Sequence, residues 1–417
     1  FDIKIMDVPW GSCPRNALDE NNKNDKLIID RILLSPNLDR QPDVYVDIRI
    51  PNEFETFGKY NIGITAGIET DIISHEWIES CNKMDLVIVP SEHSKKSIVT
   101  TIYDKMQNQA DGSQQKVGDL RVTKPVEVLF EGVDENIYKK IDNKDIDVKI
   151  LDDINDTIKE DFAFLFVGQW TQGNYGEDRK DIGRLIKVFY EAFANKKKQP
   201  ALLLKTSGAT FSVLDREDCI RKIKKVKDNF PDNFVLPNVY LLHGEFSNAE
   251  MNSLYNHPKI KSFVSITHGE GFGRPLLEAT MVGLPVIATN WSGHVDFLDE
   301  ELAILLDGSL DEVPDSVLWD KIIVKHSKWF TVNEHSLYNA FNYSFNEPYM
   351  IKRKGESLRL KNTEKFTLNG MTDKLGKILE KHMGNAPVMS ELKLPKLKKV
   401  NKQESKNKIK LPKLRKI

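Results

Sequence analysis

The feature that most constrains the fold is a short unit in the second half of the chain, where two apolar runs enclose a glycine-rich turn and a helix. The first run spans residues 263–267, and the turn, Gly-Glu-Gly-Phe-Gly, spans residues 269–273. Pro275 stands where a first helical turn would begin, and Gly283 stands where that helix would end. The second apolar run, residues 284–289, follows directly. This order predicts a strand, a turn, a helix and a strand, the repeating unit of α/β proteins with parallel sheets.

The same alternation extends along most of the chain, and apolar runs typical of buried parallel strands alternate with helical patterns. In the first half we predict strands over residues 1–6, 44–49, 61–65, 86–90 and 126–129, helices over 72–84 and 91–103, and a polar loop over 107–118. In the second half we predict strands over residues 162–167, 202–206 and 239–243 and helices from 182, over 216–229 and over 249–255. A chain of 417 residues exceeds a usual single domain, so we expect two α/β domains.

Composition argues against several classes of protein. The chain is 40% hydrophobic and 29% charged, and its formal net charge of −2 gives no overall attraction to nucleic acid or to anionic membranes. It contains no run of 18 apolar residues and no apolar leader at its start. Cys13, Cys81 and Cys219 lack the paired spacing of zinc or redox motifs. We therefore expect a cytoplasmic protein in a reducing setting, without a bound metal.

The glycine turn has the chemistry of a nucleotide-sugar site. A helix N-terminus leaves backbone N–H groups free, and its dipole favours an anion. The absence of side chains at Gly271 and Gly273 lets a phosphate approach closely. Glu270 and Glu278 are poor phosphate ligands because like charges repel, so they are better suited to accept hydrogen bonds from sugar hydroxyls. The alternative is a tight turn with a surface glutamate and an ordinary helix acid.

The same residues resemble a known family. Residues 269–279 read GEGFGRPLLEA, and the sequences GLPVIAT and WSGH follow. With Glu270 and Glu278 separated by seven residues, this pattern resembles the signature of retaining glycosyltransferases of family four. That family has the GT-B fold, in which two Rossmann-like α/β domains with parallel sheets face each other across a cleft.

The resemblance implies an activity and a set of residue roles. The donor would be a nucleoside-diphosphate sugar, with no tightly bound cofactor, and a hexose or similar sugar would be transferred with retention of the anomeric configuration. Glu270 would lie near the transferred sugar and Glu278 at the nucleotide ribose. The backbone of Gly271, Phe272 and Gly273 would meet the diphosphate.

The resemblance also suggests domain boundaries. Gly132-Val133-Asp134 is similar to the turn that closes the first domain in that family. We expect an acceptor-side domain over residues 1–137, a donor-binding domain over 138–335, helices returning to the first domain over 336–383, and a basic tail over 384–417.

Two cations precede the first helix of the second domain. Apolar residues recur at helical spacing over Ile182–Phe193, which predicts a helix with one face on the sheet. Arg179 and Lys180 lie at its start, where the helix dipole disfavours positive charge, so the placement suggests a functional reason. The related family uses a Lys at this position and an Arg to neutralise the departing diphosphate. That Arg often follows the strand-ending glycine, where this chain has Gln169, so Arg179 fits less closely. The alternative for both cations is a solvated loop.

Other polar residues follow predicted strands. In open α/β sheets ligands bind outside the carboxyl ends of the strands, where Gly168 and Lys205 fall, so both are candidates for donor binding. A lysine at a strand end is as often solvated. His268 and His294 flank the glycine turn, and each is either a donor contact or a hydrogen-bonded structural residue.

The acceptor side is less defined. A turn of small residues ends in Glu69, with His75 shortly after, and either side chain would position an acceptor hydroxyl across the cleft. The alternative for Glu69 is an acid at a helix start. The family's opening strand and glycine-rich loop lack a clear counterpart. Either Phe1 begins what would be the second strand, or Trp10-Gly11-Ser12 supplies the loop.

The last 27 residues differ from the rest. Residues 391–417 contain eleven Lys or Arg against two Glu, and the motif LPKLKKV returns as LPKLRKI. Such a segment is typical of a flexible tail, with DNA or an anionic membrane surface as possible partners or with solubility as its only role.

Two other functions compete with a glycosyltransferase. An NAD-dependent dehydrogenase would use a Rossmann glycine loop, but Arg274 stands where the last glycine belongs and Asn290 where an acid for the ribose is expected. A nucleic-acid or membrane adaptor would act through the tail, with a degenerate catalytic domain.

Overall fold

The computed structural model describes residues 2–8, 17–38, 40–109, 113–171, 173–208 and 210–384. Trp10-Gly11-Ser12, Cys13 and the basic segment 391–417 lie outside the described residues.

Strands and helices alternate along the described chain. The strands are β1 (Val44–Ile48), β2 (Tyr60–Ile64), β3 (Leu86–Val89), β4 (Tyr103–Asn108), β5 (Gln114–Leu120), β6 (Val126–Val128), β7 (Ala163–Gln169), β8 (Ala201–Ser207), β9 (Val239–Leu242), β10 (Ile260–Ser265), β11 (Val286–Thr289), β12 (Ile304–Leu306), β13 (Gly308–Glu312) and β14 (Lys328–Val332). The helices are α1 (Lys23–Ile29), α2 (His75–Cys81), α3 (Glu92–Thr100), α4 (Val148–Thr157), α5 (Ile182–Phe193), α6 (Val213–Lys227), α7 (Asn248–Asn256), α8 (Arg274–Met281), α9 (Glu334–Asn346), α10 (Pro348–Lys365) and α11 (Leu368–Met383). Of the helices in the described part of the chain, none has the length and apolar character that a membrane span requires.

The first domain is built on a four-stranded parallel sheet in the order β1-β2-β3-β6. Strand β3 reads Leu-Val-Ile-Val and is buried on both faces, as expected for a covered parallel strand. Trp77 of α2 and Ile98 of α3 pack on one face, and Ile378 of α11 packs on the other. The sheet is therefore closed on both sides around β3, and α11 returns to it from the end of the described chain.

Two predictions for the first domain are wrong. Residues 2–6 form no strand, because Ile5 makes a single isolated bridge with Ile32 and the edge of the sheet is β1. Alternating apolar residues favour a strand, but a strand also needs a paired neighbour. Residues 107–108 and 114–118 of the predicted loop are instead strand, since they belong to the antiparallel pair of β4 and β5. The side chains of that pair are mostly polar and exposed, so the apolar alternation that signals a strand is missing.

The second domain contains a six-stranded parallel sheet in the order β12-β11-β10-β7-β8-β9. Its central strands are mostly buried, and α5 covers one face with the apolar stripe that its spacing predicts. Phe189 and Phe193 of α5 pack against Phe164 of β7 and Phe341 of α9. Together the two parallel sheets confirm the α/β fold class.

Residues 142–160, which are mostly polar, contain a helix. Helix α4 begins after Asp147, whose side chain accepts a hydrogen bond from the Ile150 N–H. Ile150 and Ile154 lie one turn apart and pack into the core of the second domain. The segment looks polar in sequence because the rest of the helix surface is exposed.

The pair of β13 and β14 was not predicted. It is antiparallel and extends from the second domain toward the first. The Lys328 N–H donates to Asp71 Oδ1 at 2.6 Å, and the Asp71 N–H donates to the Lys328 carbonyl at 3.0 Å. Ile322, in the connection between the strands, packs against the first-domain core. This hairpin therefore links the two domains.

Candidate active site

Charged residues from both domains meet at the carboxyl ends of the second sheet's strands. Lys180 Nζ donates to Glu270 Oε1, and Arg179 Nη1 donates to Glu270 Oε2 at 3.2 Å. Arg179 Nη1 also lies 3.5 Å from Oε1 of Glu69, which belongs to the first domain. We call these four residues, Glu69, Arg179, Lys180 and Glu270, the charged cluster. It places the two predicted cations beside the first glutamate of the motif.

Within the charged cluster, burial and ion pairing shift the pKa values of Glu270 and Lys180 in opposite directions. The side chains of Lys180 and Glu270 are only 8% and 9% exposed. Burial raises the pKa of Glu270, but Lys180 and Arg179 more than offset this effect and hold the pKa at about 2. Burial lowers the pKa of Lys180, and Glu270 opposes that shift. Glu270 is therefore an ionised carboxylate between two cations at neutral pH.

The glycine turn, residues 269–273, lies against the first domain. Ser91 Oγ donates to the Gly271 carbonyl oxygen at 2.6 Å. A Cβ atom on Gly271 would lie 2.1 Å from the Ala66 carbonyl oxygen, and one on Gly269 would lie 2.1 Å from the Glu69 carbonyl oxygen. Backbone of the first domain therefore fills the space that a side chain on Gly271 would need. The close approach of a phosphate to this turn stays a prediction.

The N–H groups of the glycine turn remain suited to an anion. Within the described residues, no protein group accepts a hydrogen bond from the N–H of Gly271, Phe272 or Gly273. By contrast, the Glu270 N–H donates to Ser292 Oγ at 2.9 Å. Gly273, with φ of 97°, turns the chain directly into α8, so its neighbouring amides lie at a helix N-terminus.

Glu278 lies on α8 with contacts of its own. Tyr255 Oη donates to Glu278 Oε2 at 3.2 Å, and Arg274 Nε lies 3.5 Å from Glu278 Oε1. Burial raises the pKa of Glu278, and Arg274 opposes that shift. The carboxylate is thus a buried acceptor that is paired separately from the charged cluster.

Part of the second domain is similar to a known protein family. A family model described as glycosyl transferases group 1 matches residues 177–311, the stretch that contains Arg179, Lys180, Glu270 and Glu278. A comparison with curated protein sequences gives no significant match.

Solved structures share the fold of both domains. Sucrose-phosphate synthase from Thermosynechococcus elongatus has a TM-score of 0.53 and 14% identity, over 79% of this chain and 69% of that chain. The Anabaena protein HepE, in complex with UDP and glucose, has a TM-score of 0.51 and 14% identity, over 77% and 71%. A UDP-forming alpha,alpha-trehalose-phosphate synthase from Burkholderia xenovorans has a TM-score of 0.53 and 10% identity, over 79% and 69%. Identities this low show the fold alone, which is the predicted GT-B arrangement.

Two further candidate residues of the second domain lie on neighbouring strands. Gly168, in β7, is next to the Lys180 side chain. Lys205, in β8, donates from Nζ to the Gly244 carbonyl oxygen at 2.6 Å and lies 4.7 Å from the centre of the Phe246 ring. Burial lowers the pKa of Lys205. Both residues lie toward the ends of their strands, and their contact with a donor stays a prediction.

The histidines have different surroundings. His294 is fully buried, and its Nε2 lies 2.7 Å from the Thr289 carbonyl oxygen. His75 begins α2 with its side chain 58% exposed, and its Nδ1 lies 3.1 Å from Glu76 Oε2. The described contacts of His75 do not include the charged cluster, whereas Glu69 is part of it. In the described part of the chain, no group of three or more His, Cys, Asp or Glu residues is arranged to hold a metal ion.

The start of α3, which the sequence predicts as a helix, makes a contact with the second domain that the sequence did not indicate. Ser91 caps α3, and the Glu92 N–H donates to Asp296 Oδ2 at 2.9 Å across the domain boundary. The His93 ring lies edge-on to Trp291 with centroids 4.6 Å apart. A serine at a helix start, shortly after a buried strand, is the signal that could have identified this contact.

Proposed function

We propose that this chain is a retaining glycosyltransferase that moves a hexose or similar sugar from a nucleoside-diphosphate sugar to an acceptor. The observation that carries the proposal is the charged cluster, in which the buried Lys180 and the half-buried Arg179 flank Glu270 beside the open amides of the glycine turn. Two adjacent cations at the carboxyl edge of a parallel sheet suit a diphosphate.

Departure of the nucleoside diphosphate is the step that these residues assist. Negative charge grows on the leaving diphosphate as the bond to the sugar breaks, and Lys180 and Arg179 offset it in a site with little water. The N–H groups of Gly271, Phe272 and Gly273 donate to the phosphate oxygens. In the free protein Glu270 holds the two cations in place, and in the complex it accepts hydrogen bonds from the hexose.

The remaining donor contacts follow from position. Glu278 accepts hydrogen bonds from the ribose, next to Tyr255. Gly168, Lys205 and His294 border the same strand ends. No metal or tightly bound cofactor takes part in this proposal.

The acceptor binds on the side of the first domain. Glu69 is the better placed of the two candidates for its hydroxyl, because it meets Arg179 at the charged cluster while His75 is exposed beside Glu76. The acceptor is a glycan, a lipid, a protein or a modified DNA base, and experiment has to distinguish these classes.

Alanine substitutions test the donor site. Lys180→Ala should lower kcat by about 100-fold, since it removes a positive charge that acts mainly as the leaving group departs. Glu278→Ala should raise KM for the donor. Lys187→Ala is a matched control, because Lys187 is a lysine on α5 that pairs with Glu334 and not with Glu270. Wild-type rates for both Lys180→Ala and Glu278→Ala would overturn the proposal.

A thermal shift screen with UDP, GDP, ADP and CMP identifies the nucleotide. We expect UDP to stabilise the protein most, because HepE was solved with UDP and the Burkholderia enzyme is UDP-forming. A ligand at 100 times its Kd stabilises the folded state by about 2.7 kcal/mol. No stabilisation by any of the four would contradict a nucleotide site.

The basic tail is a separate question. We propose that residues 391–417 attract an anionic partner, either DNA or a membrane surface, in a cytoplasmic protein. Deletion of these residues distinguishes a glycosyltransferase from a non-catalytic adaptor. The enzyme would keep its turnover on a small soluble acceptor, whereas the adaptor would lose its function. A dehydrogenase is disfavoured by the group 1 match across the glycine turn.

A further inference from the structure

His268 stands directly before the glycine turn, and its ring is held from three sides. It is 1% exposed and stacks on Trp329 with centroids 4.3 Å apart and an interplanar angle of 7°. Its Nδ1 lies 2.6 Å from the Phe330 carbonyl oxygen, and its Nε2 lies 3.1 Å from the Gly176 carbonyl oxygen. The ring therefore joins β14 to the segment that precedes the two cations.

That segment is attached to residues 267 and 268 at both ends. The His268 N–H donates to the Arg179 carbonyl oxygen at 2.8 Å, and Thr267 Oγ1 donates to the same oxygen at 3.2 Å. The ring of His268 meets the Gly176 carbonyl three residues earlier. The distance of Arg179 and Lys180 from Glu270 consequently depends on these attachments.

The local sequence by itself does not favour this conformation. Helix α5 begins without a side-chain hydrogen bond at its N-cap, Asp181, which has a left-handed φ of 50°. A non-glycine residue in this region is strained, and cations at a helix N-terminus oppose the dipole. Contacts from outside the segment must hold it.

The protonation of the ring is set by opposing effects. Burial lowers the pKa of His268, while the carbonyl oxygens of Phe330 and Gly176 favour the protonated form. Asp181 Oδ2 also lies 3.7 Å from Nε2. A charged imidazole donates to both carbonyls, and a neutral one donates to a single carbonyl.

We propose that His268 is a positioning residue, which holds the turn bearing Arg179 and Lys180 against Glu270 through its contact with the Gly176 carbonyl. The proposal rests on the function proposed above for the two cations. His268 itself touches no substrate in this role.

Two substitutions separate the contacts of the ring. His268→Gln keeps an N–H group near the position of Nε2, and His268→Asn keeps one near the position of Nδ1. We expect His268→Asn to lower kcat for donor hydrolysis by about 30-fold with KM nearly unchanged, because small misplacements of catalytic groups are costly. We expect His268→Gln to stay within about fivefold of the wild type. The substrate is UDP-glucose, or GDP-mannose or ADP-glucose if the nucleotide screen selects one of them. The reverse order of the two variants would overturn the proposal.

A double-mutant cycle separates positioning from general destabilisation. In a background that carries both Arg179→Ala and Lys180→Ala, His268→Asn should change kcat by less than about threefold, since both cations that it positions are gone. Independent, additive losses would overturn the proposal. If His268→Asn fails to fold, His268→Phe, which keeps a ring against Trp329, replaces it.

Hydrogen exchange gives a readout that does not depend on catalysis. Backbone amides in residues 173–186 should exchange faster in His268→Asn than in His268→Gln or the wild type, with similar melting temperatures. Unchanged exchange in His268→Asn would overturn the proposal whatever the turnover. If exchange changes but Lys180→Ala retains full turnover, the proposed function fails while the attachment by His268 stands.

Discussion

At the scale of single residues, the ion pairs of Glu270 determine how the charged cluster contributes to stability. Lys180 and Glu270 are buried together, and such pairs contribute little net stability when intact but cost much when broken. Glu69 meets the same Arg179 from a half-buried position, with its side chain 26% exposed. The two carboxylates therefore share a partner but differ in burial.

Substitution of Glu270 and of Glu69 should lower the stability by different amounts, because the two carboxylates differ in burial. Glu270→Gln should lower the free energy of unfolding by about 3 kcal/mol at pH 7, because it leaves the buried Lys180 without its carboxylate partner. Glu69→Gln, the matched control, should cost less than about 1 kcal/mol. Urea unfolding of both variants measures the difference, and equal costs would contradict the pairing described here.

The pH dependence of this effect has a definite sign. The pKa of Glu270 lies below its ordinary value of 4.5, at about 2, so its ionised form stabilises the fold above pH 4.5. That contribution is lost as the pH falls toward 2. The loss of unfolding free energy caused by Glu270→Gln should therefore become smaller as the pH falls from 4.5 toward 2.

At the scale of elements, the start of α5 combines several unfavourable features. Asp181 is fully buried, and its carboxylate lies 2.9 Å from Arg184 Nε. Burial raises the pKa of Asp181 to about 7, and Arg184 offsets only part of that shift. A raised pKa means that the charged form costs stability in the folded state.

Asp181→Asn should therefore stabilise the protein in a pH-dependent way. The stability linked to Asp181 is fully present below its ordinary pKa of 3.8 and is lost as the pH rises through about 7. Asn tolerates the left-handed backbone and carries no charge, so the variant should gain on the order of 2 kcal/mol at pH 8 and little at about pH 4. Melting temperatures at the two pH values check this. Asp152→Asn, an exposed change on α4, should do little at either pH, and a loss of stability in Asp181→Asn at pH 8 would refute the argument.

At the scale of the whole molecule, the domains meet through the glycine turn. Ser91 binds the Gly271 carbonyl, Asp296 receives the Glu92 N–H, and the β13–β14 hairpin reaches Asp71. Glycine at 271 is needed because the first-domain backbone comes so close. The shape of the cleft thus depends on Gly271, for which the sequence predicts only a role in donor binding.

Gly271→Ala should force this interface apart. Its Cβ would lie 2.1 Å from the Ala66 carbonyl oxygen, a separation that no Cβ tolerates. We expect a larger radius of gyration in small-angle X-ray scattering and a loss of turnover of about 100-fold. Gly376→Ala on α11, where a Cβ meets nothing within 4 Å, is the control and should retain the wild-type size and rate. An unchanged size and full activity in Gly271→Ala would show that the contact does not set the closed form.

Much of the fold could be predicted because its signals are local. Buried runs such as β3 and the apolar stripe of α5 depend on neighbours within a few residues. The β4–β5 pair could not be predicted, because its polar strands are held by backbone pairing and not by an apolar face. The bridge of Ile5 shows the converse, since an apolar alternation without a strand partner stays isolated.

For the site, the sequence by itself determined which residues stand at strand ends and helix starts, including Arg179, Lys180, Glu270 and Glu278, because the order of strand, turn and helix settles those positions. Only the tertiary structure decided which partner each takes. Glu69 meets Arg179, and Ser91 meets Gly271 from 180 residues away. The physical reason is that the partner of a charged side chain or of a glycine backbone is a residue that the fold brings within a few ångströms. Spacing along the chain does not specify which residue that is.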